Sequence, residues 1–256
     1  MKTKISLLIM GLVLAIASAQ IVSAATFNHS AFDQILKKYV NNSGLVDYNG
    51  IAKDTIFKAY MKSLESAKPE AMSHDGQLAF WINAYNAVTI DKVIRWKPRK
   101  SVRETLIPGV WISTKFYTSR ENTVAGRLVS QDDIEDILRK QLKDPRIHFA
   151  IICASSGCPQ MPRFAYTEAN VQMKLEEETR IYLNSKRGTR IDAAENTLFI
   201  SKIFDWYAGD FESKYGSVLA FIKPYLDQRT LQFLEKNPQI AYIDYDWALN
   251  AQEPLK

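Results

Sequence analysis

The chain has 256 residues, of which 46% are hydrophobic, 11% are aromatic and 24% are charged, with a formal net charge of +5. This composition, with only 10 Gly and 9 Pro, predicts a packed fold and argues against disorder and low-complexity linkers. The net charge is mild and no long run of like charges occurs, so nucleic acid is not expected as a partner.

The N-terminus has the pattern of a cleavable secretory signal. Lys2 and Lys4 precede an apolar run over residues 5–19, and small residues at 17–19 and 22–24 offer two sites for a signal peptidase. The apolar run is shorter than the roughly 20 residues that span a bilayer, which disfavours an uncleaved anchor helix. We therefore predict that the protein is exported.

We predict a signal peptide over residues 1–24 and a single globular domain over residues 25–256. No cysteine precedes Cys153 to carry a lipid, so no membrane anchor is expected after cleavage. The predicted location is the periplasm or the exterior of the cell, where cysteines meet an oxidising environment.

Apolar residues at helical spacing dominate the first third of the chain. They predict helices near residues 32–39, 56–64 and 73–95, the last with Ser73 as its N-terminal cap. The third helix is apolar on nearly every side between residues 78 and 88, so we expect it to be central and buried.

Shorter elements fill the rest of the chain. Ser130 and Asp133 resemble a capping box that opens a helix whose apolar face ends at Leu142. The other predicted elements are strands at 116–118 and 123–124, a buried strand at 148–153, a helix at 167–184, a hairpin of 190–191 with 198–200, short helices, and a strand at 241–243. Because helices and strands do not alternate in a βαβ order, the expected class is α+β. We expect a helix-rich single domain with a small, mostly antiparallel sheet and a central buried helix.

The loop from Cys153 to Pro159 is the most informative stretch, because it holds both cysteines of the chain. A disulfide is one interpretation, since the spacer can turn back and bring the two Cα atoms within bridging range. A nucleophilic cysteine is the second, with backbone N–H groups of Ser155, Ser156 and Gly157 available to stabilise an oxyanion. Both interpretations stay open at this point.

His148 lies just upstream of the loop and is one of three histidines. If residues 148–153 form one extended strand, His148 and Cys153 point to opposite faces, about 16 Å apart, and cannot touch. Cys158, placed after the loop has turned back, could meet His148 more easily. The base for a cysteine nucleophile is therefore left open.

Metal and dithiol chemistry are less favoured by the spacing. His148, Cys153 and Cys158 could supply three ligands, but neither paired CxxC nor HExxH spacing occurs, so no metal site and no cofactor are predicted. Dithiol redox motifs usually place two residues between their cysteines, and this loop has a longer spacer.

Polar residues outside the loop are further candidates. Asn83 and Asn86 stand three apart on one side of the buried helix, where they could tie down a neighbouring loop or contact a substrate. Glu135 adjoins the apolar face of its helix and could pair with a base such as Arg139 or Arg146, or orient His148. Asp205 and Asp210 accompany a run of aromatic residues, and helix capping explains these two acids as well as catalysis does.

Several separate motifs occur in order over about residues 45–250. They are FWINAYN at 80–86, RIHFA at 146–150 with the cysteine loop after it, SKIFDWY at 201–207 and DYDW at 244–247. Together they resemble the domain of unknown function 547 family. The family occurs in exported bacterial proteins and in plant proteins, and no activity is generally assigned to it. The resemblance therefore implies a domain type without implying a reaction.

The resemblance bears on two site residues. Plant members retain a cysteine at the position of Cys153 and place serine where Cys158 stands, which implies that a disulfide is dispensable to the fold and favours Cys153 as the functional thiol. Many bacterial relatives carry a histidine directly after the position of Glu135. Asp136 follows here instead, so a Glu–His arrangement does not carry over to this chain.

The leading hypothesis is a cysteine-dependent hydrolase or acyl transferase that acts on an amide, ester or thioester of an unidentified small molecule or peptide. Cys153 would be the nucleophile and Cys158 the reserve. His148 would be the base or electrostatic partner, and Glu135 would orient that partner. The expected substrate contacts are Asn83, Asn86, Ser155 and Ser156. The alternative is a non-catalytic binding module of the cell envelope with a Cys153–Cys158 disulfide.

Overall fold

The computed structural model describes residues 25–104 and 115–255, so the predicted signal peptide at 1–24 lies outside the described residues. The helices are α1 Ser30–Tyr39, α2 Tyr48–Ile51, α3 Thr55–Glu65, α4 His74–Trp96, α5 Lys115–Thr118, α6 Gln131–Asp136, α7 Val171–Leu183, α8 Ile203–Trp206, α9 Ala208–Tyr215, α10 Val218–Ile222 and α11 Gln228–Leu234. The strands are β1 Asn122–Val124, β2 Arg127–Val129, β3 Thr189–Asp192, β4 Thr197–Ser201 and β5 Gln239–Ile243. A π-helical turn, Ile137–Leu142, continues α6, and short 3-10 helices cover Pro69–Ala71, Pro145–Phe149 and Lys223–Tyr225. Within the described residues, no helix has both the length and the apolar character needed to cross a membrane.

Helix α4 is the centre of the fold, as its sequence predicts. The Ser73 side chain caps its first turn by accepting a hydrogen bond from the Gly76 N–H, and Lys97 ends the helix in the left-handed conformation. Every residue from 78 to 90 is buried. Helices α2, α3, α6 and α7 pack around it, so a large part of the apolar core is built on this one helix.

The strands form two small sheets, which confirms the α+β class. β1 and β2 pair antiparallel across a turn at Ala125 and Gly126, both in the left-handed region. In the second sheet, β4 pairs antiparallel with β3 and parallel with β5. The parallel pairing follows from the path of the chain, because helices α8 to α11 separate β4 from β5 and carry the chain back to the start of the sheet.

The strand expected at residues 116–118 is the helical turn α5, so that prediction is wrong. Aromatic and β-branched residues favour a strand by local preference. The buried ammonium group of Lys92 instead binds the carbonyl oxygens of Phe116 and Ser119, and it donates a third bond to Gln131 Oε1 at 2.9 Å. These hydrogen bonds from a residue distant in sequence therefore hold the segment in a helical turn, against its local preference for a strand.

The strand expected at residues 148–153 is also wrong. Asp144 accepts from the Arg146 N–H and opens a 3-10 helix that ends at Phe149. The carbonyl oxygen of Ile147 then accepts from the N–H groups at positions 150 and 151, so the chain stays coiled up to the cysteine loop. The alternation of side chains along a strand therefore does not separate His148 from the cysteines. Short apolar runs do not distinguish these conformations by pattern alone.

Two amides on α4 bind the backbone of other segments. Asn83 donates to the Tyr166 carbonyl oxygen at 2.7 Å and accepts from the Tyr166 N–H at 3.0 Å. Asn86 donates to the Ala150 carbonyl oxygen at 2.9 Å and accepts from the Ile152 N–H at 2.8 Å. Both asparagines are 1% exposed, so these bonds replace the hydrogen bonds to water that burial removes. This geometry favours the structural interpretation of the pair over substrate contact.

Replacing Asn83 by alanine should lower the free energy of unfolding by about 3 kcal/mol, because Asn83→Ala leaves the N–H and the carbonyl of Tyr166 buried without partners. For a domain of this size, Tm should fall by roughly 6 to 12 °C. Thermal unfolding followed by circular dichroism measures this change. Asn42→Ala removes an exposed amide and serves as the control, with a change of no more than about 2 °C. A wild-type Tm for Asn83→Ala would contradict the structural role.

Candidate functional site

A cavity of about 620 Å³ opens where the two apolar cores of the domain meet. Its lining comes from helices α4, α5, α6 and α8, the cysteine loop and the segment after β5, among others. Its aromatic walls are formed by Tyr85, Tyr117, Trp206, Tyr207, Tyr245 and Trp247. This volume and this lining, apolar with a few polar groups, are typical of sites for small ligands.

The cysteine loop, residues 153–159, brings both sulfur atoms to the cavity wall. Cys153 and Cys158 lie at disulfide-bonding distance, with their Cα atoms 6.3 Å apart. In this state neither of them is a free thiol. Ala154, between the first cysteine and Ser155, adopts a left-handed φ of 64°, which is uncommon for a residue with a side chain.

Backbone hydrogen bonds from the C-terminal segment hold the cysteine loop in place. The Ser156 N–H donates to the Ala248 carbonyl oxygen at 2.7 Å, and the Gly157 N–H donates to the Asp246 carbonyl oxygen at 2.8 Å. This close approach requires glycine at 157, because a Cβ atom there would lie 2.9 Å from the Asp246 nitrogen. The same bonds occupy two of the N–H groups that the sequence offered as oxyanion donors, so the turn does not present them to the cavity.

Three hydrogen-bonding groups surround the two sulfur atoms. The Tyr245 hydroxyl lies 3.2 Å from Cys153 Sγ and 3.1 Å from Cys158 Sγ. The Cys153 N–H donates to Cys158 Sγ at 3.0 Å, and Ser155 Oγ lies 3.4 Å from Cys153 Sγ. Burial raises the pKa of Tyr245 well above its ordinary value, so this hydroxyl keeps its proton and can donate it to sulfur at neutral pH.

His148 is buried at the cavity wall and is paired with Asp210. Its Nε2 atom lies 2.8 Å from Asp210 Oδ2, and its ring stacks on Tyr207 with centroids 4.2 Å apart. Burial lowers the pKa of His148 more than Asp210 raises it, and the positive charge of Arg139 lowers it further. The neutral ring therefore donates from Nε2, because a carboxylate can only accept, and Nδ1 becomes the acceptor nitrogen.

Asp210 is held in its charged form by two donors. The Arg139 guanidinium binds both of its oxygens, with Nε 2.5 Å from Oδ2 and Nη2 3.1 Å from Oδ1. Burial opposes the negative charge, but the hydrogen bonds from His148 and Arg139 outweigh it and lower the pKa of Asp210. Asp210 therefore fixes the orientation and tautomer of His148 rather than capping α9, whose first turn has no side-chain cap.

Burial raises the pKa of Glu135 from 4.5 to about 7. A hydrogen bond with Tyr207 and the guanidinium of Arg139, whose Nη1 lies 3.6 Å away, both favour the charged form without offsetting burial. Near neutral pH the carboxyl group therefore populates both protonation states, which is the property that a general acid or base needs. Arg139 also links Glu135 to Asp210, so the acid and the His–Asp pair share one cation.

The cavity is lined by all four residues predicted as catalytic, Cys153, Cys158, His148 and Glu135. The residues predicted as substrate contacts lie elsewhere. Asn83 and Asn86 are paired with backbone inside the core, Ser155 is 1% exposed beside a sulfur atom, and Ser156 is bound to the C-terminal segment. Across residues 25–104 and 115–255, no group of three or more His, Cys, Asp or Glu side chains could hold a metal ion.

Sequence reasoning missed Tyr207 and Tyr245 as parts of this site, whereas the expected pairing of Glu135 with Arg139 is confirmed. The two tyrosines reach the site through contacts between segments far apart in the chain, which local spacing does not reveal. The motifs at 201–207 and 244–247 mark the right segments, since Trp206, Tyr245 and Trp247 pack together with ring centroids 4.6 to 5.6 Å apart. The recurrence of aromatic residues next to acids in both motifs was the available signal.

The raised pKa of Glu135 predicts a specific dependence of stability on pH. The folded protein keeps a proton that the unfolded chain releases, so stability is lost as pH rises from 4.5 to about 7 and is level above that. Glu135→Gln lacks this loss. Between pH 4.5 and pH 8, its free energy of unfolding should therefore rise by on the order of 3 kcal/mol relative to that of the wild type. Urea unfolding of both proteins at the two pH values measures the difference, and parallel pH profiles would contradict the buried acid.

Comparison with known proteins identifies the central part of the chain. Residues 69–183 match the family model described as "Protein of unknown function, DUF547", a narrower region than the motif resemblance over about 45–250. No curated protein and no solved structure matches the chain. The matched region contains α4, Glu135, His148 and the cysteine loop. The match supports a DUF547 family domain over these residues, and this region supplies many of the residues that line the cavity.

Proposed function

We propose that the cavity is the active site of a cysteine-dependent hydrolase or acyl transferase that acts on an amide, ester or thioester. The observation that carries this proposal is the convergence of Cys153, Cys158, His148 and Glu135 on one aromatic-walled cavity. These residues come from α6, a 3-10 helix and the cysteine loop. A nucleophile, an acid with a pKa near neutrality and a histidine oriented by a carboxylate are the groups that acyl transfer uses.

Cys153 is the proposed nucleophile. It is half-buried and lines the cavity, whereas Cys158 is only 4% exposed. The reaction requires the dithiol form, which an external thiol would generate from the disulfide. The Cys153 thiolate would then attack the carbonyl carbon and expel the leaving group, and water or an acceptor nucleophile would take the acyl group from the thioester.

Glu135 and His148 are the proposed groups for proton transfer. Glu135 can take a proton from the thiol and return it to the leaving group, because its pKa of about 7 leaves both forms populated. His148 is neutral and held by Asp210, so its second ring nitrogen can accept a proton or a hydrogen bond from the substrate. The Tyr245 hydroxyl, within 3.2 Å of Cys153 Sγ, would stabilise the thiolate.

The aromatic walls indicate how a substrate would be held. Tyr207 is anchored by Glu135 and by the stacked ring of His148, and Arg103 lies over the Trp247 ring at 4.5 Å. Flat or apolar acyl groups pack well between such rings. We therefore propose an apolar or aromatic acyl group on a small molecule or a peptide, handled in the periplasm or outside the cell.

The second candidate is a non-catalytic binding module of the cell envelope, in which the disulfide is a structural clip. The observation that favours it is the disulfide-bonding distance between Cys153 and Cys158, which leaves no free thiol in this state. The cavity would then bind its ligand without forming a covalent bond.

A matched pair of variants separates the two candidates. Reduced protein should form an acyl adduct on Cys153 with a panel of p-nitrophenyl esters and aryl thioesters, detected by intact mass and peptide mapping. Cys153→Ala should lower ester turnover by roughly 10³-fold or more, because it removes the nucleophile. Cys158→Ala removes the disulfide and keeps the nucleophile, so it should be active without a reducing agent.

Oxidised wild-type protein is the control and should be inactive until it is reduced. Equal turnover by Cys153→Ala and Cys158→Ala would contradict the enzymatic proposal. Binding of an ester by the oxidised protein, with no adduct after reduction, would favour the binding module instead.

A further inference from the structure

We propose that the Cys153–Cys158 pair is a thiol–disulfide exchange site that oxidises accessible thiols of a peptide or small molecule entering the cavity. In this exchange, Tyr245 is the hydroxyl that stabilises the sulfur atom that leaves. This activity goes beyond acyl transfer and does not rest on it, because it uses the oxidised form of the loop.

The two sulfur atoms differ in accessibility. Both line the cavity, but Cys153 is half-buried and Cys158 is 4% exposed. An incoming thiolate therefore meets Cys153 first, and Cys158 is the sulfur atom left behind. Exchange rates depend on which sulfur is attacked and on how well the other one leaves.

The leaving sulfur atom has two hydrogen-bond donors in place. Cys158 Sγ accepts from the Cys153 N–H at 3.0 Å and lies 3.1 Å from the Tyr245 hydroxyl. A disulfide sulfur is a weak acceptor and a thiolate is a strong one, so both bonds strengthen as the negative charge forms. Donors of this kind lower the free energy of the leaving thiolate and speed its departure.

Packing and backbone hydrogen bonds hold Tyr245 beside the sulfur atoms. Its ring packs against Trp206 and Trp247, with centroids 4.9 and 4.6 Å away. The next residue, Asp246, accepts the Gly157 N–H through its carbonyl oxygen, which ties the tyrosine segment to the cysteine loop. The hydroxyl keeps its proton because burial raises the pKa of Tyr245.

The exchange balances in two steps. A substrate thiolate attacks Cys153 Sγ, a new S–S bond forms to the substrate, and the protein S–S bond breaks with its electron pair on Cys158 Sγ. A second substrate thiolate attacks the substrate sulfur of this mixed disulfide and releases Cys153 as a thiolate. The substrate dithiol is oxidised to a disulfide by two electrons, and the protein pair is reduced, with the two substrate protons ending on the cysteines.

The length of the spacer explains why the sequence pattern does not suggest this activity. Dithiol motifs are recognised by two residues between their cysteines, and here the essential donor comes from a residue 87 positions after Cys158. The DYDW motif at 244–247 carries that donor. The sequence marks the motif but does not show that its tyrosine meets the sulfur atoms.

Reduction by glutathione tests the proposal. Full-length oxidised protein is incubated in mixtures of glutathione and glutathione disulfide, quenched in acid and alkylated, and the reduced fraction is counted by mass spectrometry. We expect the reduced fraction to pass from nearly none to nearly all across these mixtures. Tyr245→Phe should slow reduction by about tenfold or more, because one charge-assisted hydrogen bond to the leaving thiolate is lost.

A further tyrosine provides a matched control for the loss of a hydroxyl. Tyr242→Phe removes a hydroxyl from an exposed residue of β5. This variant should be reduced at a rate close to wild type, and thermal unfolding curves of both variants show whether Tyr245→Phe is comparably folded.

Three results would overturn the proposal. They are a pair that stays oxidised in glutathione alone, a folded Tyr245→Phe that is reduced at the wild-type rate, and an equal slowing in Tyr242→Phe. The assay contains no acyl substrate. Exchange without an acyl adduct therefore supports this proposal and contradicts the hydrolase. An acyl adduct on chemically reduced protein, together with no exchange by the oxidised protein, supports the hydrolase and contradicts this proposal.

Discussion

The side-chain amide of Asn86 is the interaction on which the site depends. It projects from buried α4 and binds the backbone at Ala150 and Ile152, so it fixes the chain immediately before Cys153. A buried amide cannot form hydrogen bonds with water, and these two bonds give its NH2 group an acceptor and its oxygen a donor. The same helix supplies the cavity with Tyr85 and, through the hydrogen bonds of Lys92, holds the segment that carries Tyr117. The geometry of the cavity therefore follows from how one central helix is tied to its surroundings.

Two ionisable groups of the cavity wall, Glu135 and His148, are linked through charged residues behind them. Arg139 lies between Glu135 and Asp210, and Asp210 in turn holds His148. Burial makes a negative charge costly unless nearby donors stabilise it. Burial therefore raises the pKa of Glu135 to about 7, whereas the hydrogen bonds from His148 and Arg139 lower the pKa of Asp210. Arg139 sits in the π-helical turn Ile137–Leu142, a local irregularity that often accompanies functional sites.

Local signals in the sequence predict much of this fold, and long-range contacts account for the rest. The cap at Ser73, the capping box at Ser130 and the apolar run of α4 are confirmed because each depends on neighbours within a few residues. The strands expected at 116–118 and 148–153 fail because a distant ammonium group and a proline-led 3-10 turn decide those conformations. The family match over residues 69–183 holds the predicted catalytic residues. Their partners, Asp210 and Tyr245, lie beyond the matched region. The spacing of residues along the chain does not predict that these later residues contact the matched region.

The central claim is that the cavity presents Cys153 as its reactive sulfur atom, with Cys158 shielded behind it. The rate of alkylation by iodoacetamide at pH 7, measured on single-cysteine variants, tests this claim most directly. Cys158→Ala, which leaves only Cys153, should react about tenfold faster than Cys153→Ala, because Cys153 is half-buried whereas Cys158 is 4% exposed. Equal rates, or a faster reaction at Cys158, would contradict the account.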